Sequence, residues 1–280
     1  MAELLRITTL VENTARERGM LAEHGLSFWI ETNSRRILFD TGQGAALFWN
    51  AKTLDIPLGS TDAIVLSHGH YDHTGSLDSV MRAARHPRIY AHPNAFQPKY
   101  ARNDDGTARD IGIPVLNEEK IRQRTDKLIL TESPTKIFTG VLVTGKIPRV
   151  TEFDDVGGPY FLDKDCEKPD LLEDDQALFV ESSQGIVVFL GCGHAGVVNT
   201  LQYINQMTNG KPIHAVIGGM HLESASTRQI DLTIGGLDRF NIGWLYPAHC
   251  TGMEAIMKFR TAFFGKCFPC PVGTVIELEC

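Results

Sequence analysis

Short apolar runs broken by polar punctuation recur along most of the chain. Ile7-Thr8-Thr9-Leu10-Val11 predicts a first strand, Leu26-Ser27-Phe28-Trp29-Ile30-Glu31 a second and Arg36-Ile37-Leu38-Phe39 a third. The polar pair Asn33-Ser34 predicts a hairpin between the last two, and Asp40-Thr41-Gly42-Gln43-Gly44 ends it. Residues 45–50 read as a helical turn or short helix, and 63–67 as a strand. Leu77, Val80, Met81 and Ala84 fall at helical spacing, which predicts a helix over 76–86 with Pro87 just beyond it. Arg88-Ile89-Tyr90-Ala91 is a further strand.

Residues 92–172 lose this regularity. They contain Asn103-Asp104-Asp105-Gly106 and a charged segment over 118–127, with short strands predicted at 127–131 and 136–144. A stretch of this length is more than a connection. We read it as a substrate-loop insertion within a single domain spanning 1–280; an ordinary peripheral subdomain fits equally well. The pattern then resumes. Strands over 176–181 and 185–190 form a hairpin around Ser182-Ser183-Gln184-Gly185. Helices are predicted over 196–207, 227–240 and 252–264, and strands at 214–217, 244–246 and 273–278. The halves look alike without repeating in sequence. They predict two packed sheets with helices outside, each half supplying one sheet. A doubly wound open sheet is disfavoured, because no Gly-rich turn joins a strand directly to a helix.

Composition narrows the function classes. Of 280 residues, 42% are hydrophobic and 22% charged, an ordinary globular balance. A formal net charge of -7 carries no basic footprint, so no nucleic-acid partner is expected. Anionic small molecules stay open, because local charge and metals govern them. With no apolar leader and no run of membrane-spanning length, we expect a cytoplasmic protein without a membrane partner. Of the six cysteines, Cys267-Phe-Pro-Cys270 has CxxC spacing, but no second pair completes a zinc site and no redox motif surrounds it. A structural or incidental role is expected.

The chemistry concentrates in Leu66-Ser67-His68-Gly69-His70-Tyr71-Asp72-His73-Thr74-Gly75, directly after an apolar strand. On a tight loop His68 and His70 can converge on one cation, while Asp72 and His73 turn toward another. Imidazole with carboxylate suits zinc, iron or manganese. Two such ions, about 3.5–4 Å apart, activate water and neutralise oxyanion charge. Merely hydrogen-bonded histidines are a poor explanation, because burying four such groups is costly without a binding return. Three later apolar runs also end in histidines among small residues: Gly191-Cys192-Gly193-His194-Ala195-Gly196, Gly218-Gly219-Met220-His221-Leu222 and Pro247-Ala248-His249-Cys250. Any one alone could be an ordinary core or surface histidine.

The motif over 67–75, with Ile37-Leu38-Phe39-Asp40-Thr41-Gly42 before it, resembles the metallo-β-lactamase fold superfamily, and the resemblance covers nearly the whole chain. It implies an α+β fold, a four-layer αββα sandwich with its metal site at one edge. It also implies a first ion on His68, His70 and His194, a second on Asp72, His73 and His249, and Asp40 as a buried carboxylate organising the loop beneath them. The chain departs from the family at the bridging aspartate, where Gly191-Cys192-Gly193 stands instead. Cys192 is either a soft ligand or a neighbour of the metals. Asp174 or Asp175 could reach in, although a solvated acidic turn is the plainer reading.

Glu23-His24-Gly25-Leu26-Ser27, the loops around His194 and His221, and His249-Cys250-Thr251-Gly252 look like a subgroup of metal-dependent hydrolases similar to a 7,8-dihydropterin-6-yl-methyl-4-(β-D-ribofuranosyl)-aminobenzene-5′-phosphate synthase. The resemblance implies a small anionic substrate, phosphorylated or pterin-like. His221 is expected to contact it or donate a proton, or else to compete with His194 for metal. His24 is expected at the pocket rim or packed in a loop. Lys146, Arg149 and Lys99 could contact phosphate or form a solvated face. The expected reaction is hydrolysis of a phosphoester or cyclic ester using two divalent ions, zinc before manganese or iron, with Asp72 orienting the nucleophile. The alternatives are a transferase condensing a dihydropterin diphosphate with a ribofuranosyl-aminobenzene phosphate, and a non-catalytic metal- or ligand-binding protein. A homo-oligomer is compatible with either. A two-iron redox role lacks its glutamate ligand, and a nuclease lacks a basic stripe.

Overall fold

A computed structural model describes residues 4–32, 35–84, 87–125, 127–154 and 157–279. The turn expected at Asn33-Ser34, the end of the helix expected over 76–86 and Cys280 lie outside the described residues. The first half contains β1 (Leu4–Val11), β2 (Ser27–Glu31), β3 (Arg36–Phe39), α1 (Leu47–Thr53), β4 (Ala63–Val65), α2 (Tyr71–Thr74), α3 (Leu77–Ala83) and β5 (Arg88–Ala91). Next come β6 (Tyr100–Arg102), β7 (Ala108–Asp110), α4 (Glu118–Arg122), β8 (Leu128–Leu130), β9 (Thr135–Phe138), β10 (Val141–Val143) and β11 (Tyr160–Phe161). The second half contains β12 (Leu178–Ser182), β13 (Gly185–Leu190), α5 (Val197–Met207), β14 (Ile213–Gly218), α6 (Thr227–Asp238), β15 (Trp244–Pro247), α7 (Met253–Ala262) and β16 (Val275–Glu279).

Two mixed sheets result. One has the order β16-β1-β2-β3-β4-β5-β8, the other β15-β14-β13-β12-β10-β9. A small third sheet, β11-β6-β7, stands apart from both. The period-two burial of the strands explains the layering. Phe28, Ile30, Ile37, Phe39 and Val65 point one way and meet Val187, Phe189, Ala215 and Ile217 of the second sheet in a shared core. The alternate residues Trp29, Leu38, Ile64 and Ile89 pack with Leu47, Leu77, Val80 and Ile121 from the helices on the first sheet. On the far side, Ile186, Val188 and Val216 pack beneath Val197, Val198, Leu201 and Ile204 of α5 and Ile230 and Leu237 of α6. The order is helices, sheet, sheet, helices: an αββα sandwich. Among the described residues no helix is long and apolar enough to cross a membrane.

Two expectations need correction. Each half was expected to supply one sheet, but β16 returns to the first sheet and pairs antiparallel with β1, from Leu4↔Glu279 to Thr8↔Val275. Its alternating burial, eBeBe in sequence order, suits an edge strand with one covered face. The stretch over 136–144 is not one strand but a hairpin, because Gly140, at φ 72°, turns the chain between β9 and β10. The short helix α2 had no counterpart in the sequence reading; four residues carry too little periodicity to register.

In both sheets the strands that carry the polar motifs run parallel. β3, β4 and β5 are parallel in the first sheet, and β13, β14 and β15 in the second. Their C-terminal ends therefore emerge together at one edge of the sandwich, where open α/β sheets commonly bind ligands. Phe189 sits at the centre of the shared core, with its ring 6.3 Å from Phe28 and 6.4 Å from Phe39 across the sandwich. Truncation by Phe189→Ala should cost about 3–5 kcal/mol of unfolding free energy, read from the urea midpoint at unchanged slope.

Candidate metal centre

Asp40 follows β3 directly and has φ 58°, a left-handed conformation that aspartate tolerates better than most residues. That geometry turns its fully buried carboxylate under the histidine loop. Oδ1 accepts the backbone N–H of Ser67 at 2.7 Å. Oδ2 accepts both the Ser67 hydroxyl and Nδ1–H of His73, each at 2.7 Å. With its proton committed to Asp40, the Ser67 oxygen accepts Nδ1–H of His68 at 2.8 Å. Both imidazoles are thereby oriented with Nε2 facing inward.

The same device recurs at His249. Its Nδ1 donates to Oδ1 of Asn13 at 2.8 Å, and its backbone N–H donates to Glu12 at 2.8 Å. Nε2 of His249 then lies 3.3 Å from Nε2 of His73 and 3.3 Å from Oδ2 of Asp72. Sγ of Cys192, just past β13, is 3.1 Å from Nε2 of His73. Asp72, His73, Cys192 and His249 offer ligand atoms that all lie within 4.8 Å of one another. His68, His194 and Cys192 form a second such set. The ring of His70 lies 4.5 Å from that of His68 and 5.2 Å from that of His194, so it belongs beside this second set. Cys192 is common to both and occupies the position between them.

The donor chemistry fits cations. Nε2 of His68 and of His70 is buried with no hydrogen-bond partner among the described residues, an expensive arrangement unless something else uses those lone pairs. Burial pushes His70 down to about 3 and His68 well below its usual range, so both present neutral, ligating nitrogens. His73 differs: burial works against its charge, but Asp72 and Asp40 raise it to about 9. Burial likewise opposes ionisation of Asp72, yet His73, His24 and His249 hold its carboxyl well below the usual carboxylate range. A cation bound there takes the place of the second imidazole proton.

Residues 174–176 fasten the loops together, and none of them forms a solvated acidic turn: Asp174, Asp175 and Gln176 are all buried. Asp174 accepts the N–H of Gly69 at 2.8 Å with one oxygen and Nζ of Lys99 at 2.9 Å with the other. Lys99 is not on a solvated face either, for it is buried between Asp174 and Asp170. Gln176 donates to Leu66 O at 2.8 Å and to Ser67 O at 3.0 Å through its side chain and backbone respectively. Asp175 accepts the N–H of Ala195 at 2.8 Å with one oxygen, beside His194, its other oxygen is buried with no hydrogen-bond partner among the described residues, and burial raises it to about 7. Gly69 and Gly191 have no room for a side chain, since a Cβ would strike the Ala95 carbonyl and the Ser67 hydroxyl respectively.

Above the cluster opens a cleft of about 360 Å³ whose lining includes Arg109, Tyr71, Tyr160 and Glu223. His24 is half exposed at the rim, 3.2 Å from Asp72. His221 lies deeper, 4.2 Å ring to ring from His194, with Nε2 donating to Gly157 O at 3.0 Å and 3.3 Å from the Tyr160 hydroxyl. Lys146 and Arg149 are not brought to the cleft; they are exposed and bind Glu173 and Leu171 O. Sequence reasoning missed Asn13, Arg109 and Tyr160. Asn13 follows an unremarkable strand, and the other two lie in the aperiodic segment, on β7 and β11, where no spacing points to a site. Cys166, Cys192, Cys250, Cys267 and Cys270 are free thiols, and Cys270 bonds to Thr9 in the core.

Comparison with known proteins places this geometry. The model of the Metallo-beta-lactamase superfamily matches residues 21–200. The chain belongs to the metallo-beta-lactamase superfamily. Among its relatives, a 7,8-dihydropterin-6-methyl-4-(beta-D-ribofuranosyl)-aminobenzene-5'-phosphate synthase of Methanocaldococcus jannaschii is 31% identical over 92% of each chain. A second protein of that archaeon, without an assigned function, is 34% identical over 90% of this chain and 93% of its own. The crystal structure of Tm1679, a metal-dependent hydrolase of the beta-lactamase superfamily, superposes with a TM-score of 0.83 at 28% identity, covering 99% of this chain and 100% of the other. YhfI from Bacillus subtilis, a metallo-beta-lactamase fold protein, shares the fold at a TM-score of 0.60 and 15% identity, covering 99% and 100%. In this metallo-beta-lactamase fold the His, Asp and Cys cluster can hold one or two metal ions.

Because Asp40 holds His73 directly and His68 through the Ser67 hydroxyl, Asp40→Asn should keep the fold and weaken metal binding by roughly 10–100-fold, measured by competition with a chromophoric chelator. Asparagine also tolerates the left-handed backbone there, so loss of the folded circular-dichroism spectrum would contradict this account.

Proposed function

We propose that this chain is a metal-dependent hydrolase that cleaves a phosphoester or cyclic ester in a small anionic metabolite. The observation that carries this reading is the convergence of His68, His70 and His194 with Asp72, His73 and His249 around Cys192, on the floor of a cleft that a cation, Arg109, also lines. His68, His70 and His194 would hold one divalent ion, and Asp72, His73 and His249 the other, with Cys192 between them. Zinc suits these donors best, with manganese or iron as substitutes. Bound there, the ions supply Lewis acidity and lower the pKa of water.

The remaining work falls to side chains. Asp72, tied to His24 and His249, orients the attacking water from the floor. Tyr160 keeps its proton because burial raises its pKa, and its hydroxyl beside His221 can pass a proton to the leaving group. Arg109 draws in the anionic part of the substrate, and His24 flanks the entrance. The β11-β6-β7 sheet carries Arg109 and Tyr160, which makes the segment over 92–172 the part that selects the substrate.

A second reading has a specific support. An archaeal relative that covers 92% of this chain is a 7,8-dihydropterin-6-methyl-4-(beta-D-ribofuranosyl)-aminobenzene-5'-phosphate synthase, so the same floor could instead activate a dihydropterin diphosphate for attack by a ribofuranosyl-aminobenzene phosphate. The two differ in whether water is consumed.

Metal analysis of protein purified without added metal tests the shared foundation. About two ions per chain are expected, fewer in His68→Ala and an unchanged number in His221→Ala; one ion or none in wild type would sink the two-ion reading. Turnover of phosphoesters and lactones in heavy-oxygen water should then place solvent oxygen in the product. Condensation of the diphosphate and amine pair without label would select the transferase. Arg109→Ala should raise KM by roughly 10–100-fold with little change in kcat, the cost of one charge-assisted contact.

A further inference from the structure

Overlapping the two ligand sets at Cys192 lies a third, which adds Cys250, a residue the proposed reaction does not use. Sγ of Cys192, Sγ of Cys250 and a ring nitrogen of His221 all lie within 4.8 Å of one another. Both thiols are buried and free. The imidazole is aimed rather than loose. Its Nε2 is occupied by Gly157 O at 3.0 Å and by the Tyr160 hydroxyl at 3.3 Å. Nδ1 is buried and, the thiols aside, has no hydrogen-bond partner among the described residues. His221 adopts φ 47° to reach this position. Cys250 is anchored by a contact from its thiol to Cys192 O at 3.5 Å, and all three residues line the open cleft, which gives an entry path from solvent.

Two thiolates and one imidazole are a soft donor set. The sets around it are dominated by imidazole and carboxylate, which suit borderline ions. We propose that Cys192, Cys250 and His221 form a third cation position, selective for thiophilic ions, that shares the Cys192 sulfur with the pair of positions beneath it. A soft d¹⁰ ion such as cadmium(II) or copper(I) displaces the thiol protons and completes its coordination with a ligand from the cleft. This site goes beyond the hydrolase reading and does not depend on any reaction being catalysed. It gives the protein a means of sensing or being inhibited by soft metals at the mouth of its own centre.

Cadmium(II) titration of metal-stripped, reduced protein under argon provides the test, followed by thiolate-to-cadmium ultraviolet absorption and by bound metal after gel filtration. Wild type should take up a third equivalent beyond the two expected for the pair. Cys250→Ser and His221→Ala should each lose that equivalent and part of the absorption while keeping the other two. His68→Ala should lose an equivalent from the pair yet retain the absorption that depends on Cys250, which separates failure of this site from failure of the two-ion reading. Circular dichroism shows that each variant is folded, and having two variants guards against one that is not. Saturation of wild type without a third equivalent, or a third equivalent that survives both substitutions, overturns the proposal.

Discussion

Everything at the working edge of this protein hangs from one buried carboxylate. Asp40 takes three hydrogen bonds, from the Ser67 backbone, the Ser67 hydroxyl and His73, and through the hydroxyl it also sets the tautomer of His68. A buried charge is expensive, and its cost is offset only where every lone pair is used. Here that requirement fixes the loop, and the loop fixes one imidazole from each ligand set. Replacing the carboxylate by an amide of the same shape keeps one oxygen for the Ser67 N–H but puts an NH2 donor where the Ser67 hydroxyl and His73 need an acceptor, so orientation is lost before packing is.

The second sheet contributes on different terms. Its residues are held to the first-sheet loop by the run Asp174-Asp175-Gln176, which binds Gly69 N, Ala195 N, Leu66 O and Ser67 O from the two sides. Lys99 bridges Asp174 and Asp170 in the same buried knot. Removing Lys99 from this knot leaves uncompensated carboxylates in the interior. The ligands from the two halves of the chain are therefore kept in register by polar contacts, while the shared apolar core around Phe189 supplies the bulk of the cohesion.

The layering and the position of the site were legible because each leaves a local trace. Strand alternation at Phe28-Trp29-Ile30 and Ile37-Leu38-Phe39 encodes two faces per strand, and histidines at strand ends, from His68 to His249, mark the edge where the sheets open. What escaped was non-local or aperiodic. Nothing near Val275 announces that its strand pairs with β1, since pairing depends on a partner more than two hundred residues away. Asp174 and Asp175 look solvated in a linear reading; only the fold brings Lys99 and Ala195 to them. Asn13 is an ordinary polar residue until His249 arrives beside it, and Arg109 and Tyr160 sit on strands of two or three residues, too short to show a period.

The closure of the first sheet by β16 has a temporal meaning. β1 is paired on one side by β2, but its other side stays open until the residues of β16 have left the ribosome. Until then an apolar strand with an unmatched edge is exposed to other nascent chains, the situation in which strand-mediated aggregation begins. The ligand loops are under the same schedule, because His249 is made 236 positions after the Asn13 it must reach. The strand that closes the sheet and the loop bearing His249 thus become available close together, and a chain cut short within α7 lacks the strand that would close that sheet.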